Sequence, residues 1–266
     1  MRQLKLTVAY DGTDFHGFQA QTGRGLRTVQ EVLEGAWERL TGERVRIVGA
    51  GRTDAGVHAT GQVVGLRTLH RSIPDARVPY AMNSVLPEDV RVTGCEAVPA
   101  TFHARFDAEA KTYEYLIYNE TFPSPLYRRY AYFVPVPLDV EAMNRAAAVL
   151  IGRHDFAAFA DVNGPPRRST VRHVMGCRVQ RDGPLVRVAI EASGFLYHMA
   201  RIIVGTLIVV GKGERPSTWV AQVLAGRDRR QAGPTAPPHG LVLRSVRYPF
   251  SPRQGAPPSP ASDETE

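Results

Sequence analysis

The chain has 266 residues and a mass of 29.3 kDa, a size that predicts one large or two ordinary folded domains. Because 43% of the residues are hydrophobic and 22% are charged, the composition excludes extended disorder over most of the length. The longest apolar stretch covers only residues 202–210 and there are two cysteines, so we expect no membrane span, no disulfide framework, no thiolate metal site, and a reducing, cytoplasmic location. The 33 basic residues, all arginine except three, outnumber the 26 acidic ones and give a net charge of +7, which favours a polyanionic partner, although an arginine-rich genome would produce the same excess.

The first half of the chain contains a regular succession of strand and helix patterns. Apolar and polar residues alternate over residues 4–10, which predicts a strand. Thr28 and Glu31 then have the spacing of a capping box, and the helical apolar pattern that follows is expected to end at Gly42. Further patterns predict short strands around residues 45–47 and over 61–67, a helix over 78–86 and a strand over 90–98. The predicted order is β-α-β-β-α-β.

The second half repeats this order. The patterns predict a strand over 111–118, a helix capped by Asp139, strands over 171–180 and 185–192, a packed helix with apolar residues from 199 to 210, a short helix over 217–225 and a strand over 241–248. We therefore predict an α+β fold of two ferredoxin-like halves, residues 1–105 and 106–250. Together they would form one mixed, mostly antiparallel sheet with helices on one side and a central cleft. Residues 251–266, rich in proline, serine and acids, are predicted to be a disordered tail.

The densest unusual segment is a glycine-rich loop at residues 49–59, between two predicted strands. It contains one guanidinium, one carboxylate and one imidazole, from Arg52, Asp54 and His58. The loop is not a phosphate-binding P-loop, because no Gly-Lys-Ser/Thr follows, and it lacks a third ligand for a metal. Two interpretations remain open. The loop is either a solvated turn or the site of an Asp that acts as a nucleophile or a base.

Two further segments carry aromatic or charged residues in unusual positions. On the strand over 111–118, Tyr113 and Tyr115 share one face, where they either pack in the core or stack on an unstacked base. On the helix after residue 198, Arg201 lies opposite the apolar stripe together with Tyr197, His198 and Gly205. A buried Arg needs a partner such as Asp54, whereas a surface Arg would extend its head into solvent.

These segments carry a resemblance to a known family. The stretches YDGTDFHGFQ at residues 10–19, GRTDAGVHA at 51–59, KTYEY at 111–115 and FLYHMAR at 195–201 follow one another in the order that the family has them. The chain resembles the tRNA pseudouridine synthase A family over nearly all of residues 3–250. The resemblance implies an isomerase without cofactor or metal, which converts uridine to pseudouridine at positions 38, 39 and 40 in the anticodon stem-loop of tRNA. It also implies a homodimer, two α/β halves and a basic, RNA-binding cleft.

The resemblance also implies roles for individual residues. Asp54 matches the catalytic aspartate, and Arg201 matches the arginine that pairs with it. Tyr113 matches the tyrosine that packs on the target base, Arg52 matches a basic residue close to the flipped nucleotide, and His58 is placed with the substrate-binding residues. Two alternatives are a non-catalytic tRNA-binding module, against which the intact motifs argue, and a hydrolase with a single Asp, against which the lack of a second acid at motif spacing argues.

Overall fold

The computed structural model describes residues 1–21, 23, 25–164 and 168–249. The strands are β1 (Arg2–Tyr10), β2 (Ile47–Gly49), β3 (His58–Thr68), β4 (Val90–Val98), β5 (Ala110–Tyr118), β6 (Tyr132–Phe133), β7 (Gly152–Asp155), β8 (Val171–Asp182), β9 (Leu185–Ala192) and β10 (Leu241–Arg247). The helices are α1 (Val29–Thr41), α2 (Val78–Val85), α3 (Val140–Ala148), α4 (Met199–Gly211) and α5 (Trp219–Gly226). Short 3-10 turns lie at Asp75–Arg77, Ala157–Phe159, Arg229–Gln231 and Pro238–Gly240.

The strands form one sheet in the order β4-β1-β3-β10-β5-β9-β8-β7, with β2 paired to β3 and β6 paired to β5. The pairs are antiparallel except for β10 with β3 and β6 with β5. The predicted α+β class and the mixed, mostly antiparallel sheet are therefore confirmed. Strand β10, the last in sequence, lies between β3 and β5 and joins the strands of the first part of the chain to those of the second.

Most predicted elements are present with boundaries shifted by one to three residues. Strand β3 begins at His58 rather than at Gly61, because residues 58 and 59 pair with Val242 and Leu243 of β10. Two strands, β6 and β7, were not predicted. They have two and four residues, too few for an alternating pattern to show. The predicted disordered tail, residues 251–266, lies outside the described residues.

Helix α1 shows how local sequence sets the element boundaries. The Thr28 hydroxyl oxygen accepts a hydrogen bond from the backbone N–H of Glu31 at 3.4 Å, and the same hydroxyl donates to the Glu31 carboxylate at 2.5 Å. The carboxylate thus binds the capping hydroxyl rather than the backbone N–H that a capping box would offer it. The helix ends at Gly42, whose φ of 71° is a left-handed conformation that glycine adopts without strain.

Helix α4 lies in a hydrophobic core that is continuous along the whole sheet, with Trp37, Tyr115 and Phe156 among its largest fully buried side chains. Eleven of the 13 residues of α4 are buried. Gly205, on the face opposite the apolar stripe, is also buried, and a Cβ there would lie 1.8 Å from the backbone oxygen of Pro234. Among the described residues, no helix combines the length and the apolar character needed to cross a membrane.

Candidate active site

Hydrogen bonds to residues of the sheet hold the glycine-rich loop between β2 and β3. The backbone N–H of Ala50 donates to the oxygen of Val63 at 2.8 Å, and the Gln62 side-chain amide donates to the oxygen of Gly51 at 2.9 Å. The hydroxyls of Tyr10 and Thr53 are hydrogen-bonded at 2.8 Å. These bonds fix the backbone on the N-terminal side of Asp54.

A second loop, residues 11–18, packs against the same backbone and requires two glycines. A Cβ on Gly12 would lie 2.0 Å from the oxygen of Val57, and Gly17, with a φ of 90°, would place one 2.8 Å from the oxygen of Thr53. The N–H of Phe18 donates to that Thr53 oxygen at 3.1 Å. Such a close approach between the two backbones requires glycine, which has no side chain. Residues 11–18 therefore support the loop that carries Asp54.

The structure brings Asp54 and Arg201 together across 147 positions of sequence. Arg201 lies in the first turn of α4, and its Nη1 is 3.3 Å from Oδ2 of Asp54. Its Nε donates to the oxygen of Ala236 at 2.7 Å, and the N–H of Ala236 donates to the Arg201 oxygen at 3.1 Å. The Arg201 side chain is 13% exposed and that of Asp54 is 25% exposed, so the carboxylate retains a solvent-facing part while its partner is largely enclosed.

Tyr113 supplies a neutral phenol close to this pair. It lies on β5, between β10 and β9, and its ring contacts Phe195 edge-on with the centroids 4.9 Å apart. Burial raises the pKa of Tyr113 well above its ordinary value, and electrostatic interactions with Tyr10 and Asp54 add to the shift. For Tyr115, by contrast, the core interpretation holds, because its ring is fully buried and its hydroxyl donates to the oxygen of Pro237 at 2.8 Å.

His198 and Asp161 complete the cluster, and no role was predicted for either. His198 immediately precedes α4, with its Nε2 3.5 Å from Oδ2 of Asp54 and its Nδ1 2.8 Å from Oδ2 of Asp161. His198 stands inside the FLYHMAR motif, so a signal existed in the sequence. Asp161 follows a 3-10 turn and belongs to no recognised pattern. The two carboxylates in this cluster are thus separated by an imidazole.

The contacts of Asp54 are unequal between its two oxygens. Arg201 and His198 both approach Oδ2. Oδ1 has no hydrogen bond or ion pair with any residue that the structure describes. One oxygen is therefore held and the other is available for chemistry.

The two remaining predicted residues differ in their environments. Arg52 is exposed and makes no hydrogen bond or ion pair within the described part of the chain. His58 is only 4% exposed, accepts a hydrogen bond at Nδ1 from the N–H of Gly12 at 3.0 Å, and has Nε2 3.0 Å from the oxygen of Arg129 and 3.1 Å from that of His239. The substrate-binding role of His58 stays a prediction, and its contacts favour support of the loops instead.

The chemistry available to this cluster follows from its charges. An anionic carboxylate with one free oxygen can attack an electrophilic carbon or remove a proton, and an adjacent guanidinium stabilises its charge. Within the described ranges, no group of three or more His, Cys, Asp or Glu side chains could hold a metal ion. The residues thus fit acid–base or nucleophilic chemistry by a single Asp.

Comparison with known proteins gives the class first. A family model described as tRNA pseudouridine synthase matches residues 6–107 and 146–249, segments that include Asp54 and Arg201. Tyr113 lies between the two matched segments. The class of protein is therefore that of the tRNA pseudouridine synthases.

Curated relatives narrow this class. Three proteins named tRNA pseudouridine synthase A are similar to this chain: from Thermoanaerobacter sp. (strain X514), 45% identical over 93% of the chain and 100% of the relative; from Syntrophomonas wolfei, 48% over 94% and 98%; and from Roseiflexus castenholzii, 49% over 94% and 92%. The chain belongs to the tRNA pseudouridine synthase A family, and the resemblance predicted from its motifs is confirmed.

Proposed function

We propose that this chain isomerises uridine to pseudouridine at positions 38, 39 and 40 in the anticodon stem-loop of tRNA, with Asp54 as the catalytic carboxylate and without a cofactor. Family membership supports the isomerisation of uridine in the anticodon region of tRNA. One observation carries the assignment of Asp54, namely its contact with Arg201 at 3.3 Å, where the glycine-rich loop meets α4.

The reaction exchanges one bond of the base for another. The bond between N1 of the uracil and C1′ of the ribose breaks, the uracil turns, and a bond forms between C5 and C1′. C5 loses its proton to solvent and N1 gains one, so the product is an isomer of the substrate. A carboxylate contributes by attack at C1′, addition to C6 or removal of the C2′ proton, and each route requires it beside the bond between base and ribose.

The free oxygen of Asp54 faces the reacting atoms in this proposal. Arg201 holds Oδ2 through its positive charge, which leaves Oδ1 for the substrate. The largely enclosed side chains around Asp54 limit the access of water, which protects the detached uracil from hydrolysis. Arg201 thus contributes by position and charge rather than by bond formation.

The target nucleotide must leave the stack before Asp54 can reach it. Extrusion of a base costs a few kcal/mol, and stacking on an aromatic ring returns about 1–3 kcal/mol per base. We assign the stacking contact to Tyr113, whose ring lies close to Asp54. Arg52, exposed and on the same loop as Asp54, would bind a phosphate next to the flipped nucleotide.

Strand order supports the division into two ferredoxin-like halves. The orders β4-β1-β3-β2 and β10-β5-β9-β8 are equivalent, and residue 105 falls in the connection between β4 and β5. We infer halves of residues 1–105 and 106–250, with helices on one side of the sheet and the RNA-binding cleft between the halves. A cytoplasmic location and a homodimer that holds tRNA in its basic clefts belong to the same proposal.

The test is tritium release from tRNA labelled at C5 of uracil, followed by digestion to nucleosides. The purified protein should release one tritium to water for each pseudouridine formed, with no free uracil. Free uracil would identify a hydrolase. Tight binding of tRNA with neither tritium release nor pseudouridine would identify the non-catalytic binding module.

A further inference from the structure

His198 joins Asp54 to a second carboxylate that the proposed reaction does not use. Its Nδ1 lies 2.8 Å from Oδ2 of Asp161 and its Nε2 lies 3.5 Å from Oδ2 of Asp54. The side chains of His198 and Asp161 are 16% and 20% exposed, so both nitrogens of the ring are directed at carboxylates in a largely enclosed place. Asp161 comes from the segment that follows the 3-10 turn Ala157–Phe159.

Several contacts fix the orientation of this imidazole. The ring of Tyr197 stacks on it at 3.8 Å with an interplanar angle of 25°. The N–H of Asp161 donates to the Tyr197 oxygen at 3.1 Å, and Oδ1 of Asp161 accepts from the N–H of Asn163 at 2.9 Å. The last bond, and then the bond from His198, lower the pKa of Asp161. Asp161 is thus an anion, and its carboxylate accepts a hydrogen bond from the Nδ1–H of His198.

The backbone at His198 is strained. Its φ of 59° and ψ of 5° lie in the left-handed region, which residues other than glycine rarely occupy. Such conformations persist where the surrounding structure enforces them, and they cluster at functional sites. Here the conformation places the imidazole beside Asp54, about one helical turn before Arg201 in the sequence.

We propose that His198 is a positioning residue for Asp54, with its ring oriented by Asp161. The inference rests on the proposed function. The Nδ1–H of His198 donates to Asp161, and this bond directs Nε2 at Oδ2 of Asp54, 3.5 Å away. Together with Arg201 it holds Oδ2 from two directions, and Oδ1 is turned toward the ribose and base.

The groups that face His198 are Asp54, Asp161, the Tyr197 ring and, beyond Asp54, Arg201. Arg229 in addition acts on Asp161 through its positive charge. Because Asp161 engages Nδ1, Nε2 is the ring atom that faces Oδ2 of Asp54. The positioning effect therefore depends on the ring and on its orientation by Asp161.

The first test compares His198→Asn with the wild type in single-turnover tritium release at pH 6. Asn tolerates the left-handed backbone but has no second ring nitrogen to reach Asp54. We expect a rate about 10- to 100-fold lower, because a displaced catalytic group loses that much. The dissociation constant for tRNA should change less than about twofold, so that the loss lies in the reaction and not in binding.

The second test asks whether Asp161 acts through His198. Asp161→Asn alone should lower the rate at pH 6, and the double variant should be no slower than His198→Asn, because the effects of residues that act as one unit do not add. His154→Asn, on the edge strand β7, is the matched control and should behave as the wild type. Thermal unfolding of each variant separates loss of position from loss of fold.

Three outcomes would overturn the inference: an unchanged rate for His198→Asn at pH 6, a rise in the dissociation constant for tRNA as large as the fall in rate, or additive effects in the double variant. Each of these would leave the proposed function intact, provided that the wild type forms pseudouridine. A wild type that forms none fails the proposed function itself and overturns this inference with it.

Discussion

Tyr113 shows how burial determines what a side chain can contribute. The residue is 7% exposed and its pKa is raised by desolvation, with the electrostatic interactions of Tyr10 and Asp54 acting in the same direction. The phenol is therefore protonated at neutral pH. It can donate a proton or a hydrogen bond, and its ring can stack, but it does not act as a phenolate.

The substitution Tyr113→Phe separates these roles, because the ring remains and the hydroxyl is lost. We expect tRNA affinity within about twofold of the wild type and a turnover number lower by about 10²-fold or more, as for the loss of a general acid. Since the pKa of Tyr113 is raised, the size of the loss should be equal at pH 6 and pH 9. Tyr80→Phe, on exposed α2, is the control. An unaltered turnover number would confine Tyr113 to stacking.

Sequence reasoning at this scale reached the residues that stand in recognisable motifs. The pairing of Asp54 with Arg201 followed from the cost of burying an arginine, and the structure brings the two side chains together. Asp161 was missed because it belongs to no motif and meets His198 only through the fold. The environment of His58 was equally invisible, since its partners meet it only in the fold. They are backbone atoms of Gly12, Arg129 and His239 and the carboxylate of Asp11, whose Oδ1 lies 3.1 Å from Nδ1.

At the scale of elements, helix α4 links stability to the site. Gly205 lets the helix approach the segment that contains Ala236, whose oxygen accepts a hydrogen bond from Arg201. A side chain at residue 205 would meet the backbone of Pro234, which cannot rotate away. The contact that packs α4 therefore also fixes the position of Arg201 relative to Asp54.

Gly205→Ala should therefore lower the free energy of unfolding by about 1–3 kcal/mol, as measured by denaturant unfolding, because it overpacks a rigid contact. It should also reduce turnover, since Arg201 would shift. Gly35→Ala in α1 is the matched control. No atom lies within 4 Å of its Cβ, and it should stabilise the helix by about 0.5–1 kcal/mol. Equal stability of both variants would refute the packing argument.

The elements that sequence predicted well are those with long periodic patterns or a defined cap, such as α1 and β9. Short elements such as β6 have no periodic hydrophobic pattern, and they form because they pair with a neighbouring strand of the sheet. The position of β10 beside β3 could not be predicted from the sequence of either strand alone. It depends on parallel pairing between segments that are far apart in sequence.

For the whole molecule, the surplus of arginine predicts a salt-dependent affinity for tRNA. Raising the salt concentration from 50 to 200 mM should weaken binding by more than about tenfold if several phosphates are contacted. Arg52→Ala should reduce the slope of log affinity against log salt by about one, because one phosphate contact is lost. Arg44→Ala is the control, since that arginine pairs with Glu38 at 2.7 Å. A slope that Arg52→Ala leaves unchanged would remove Arg52 from the RNA interface.

The charge of Asp54 is the feature on which the whole account depends, and Asp54→Asn removes it with little change of shape. The measurement is single-turnover tritium release, with tRNA binding determined in parallel and the exposed Asp14→Asn as control. We predict binding within about twofold of the wild type, a rate lower by about 10³-fold or more, and normal activity of the control. An Asp54→Asn variant that forms pseudouridine at the wild-type rate would contradict the account.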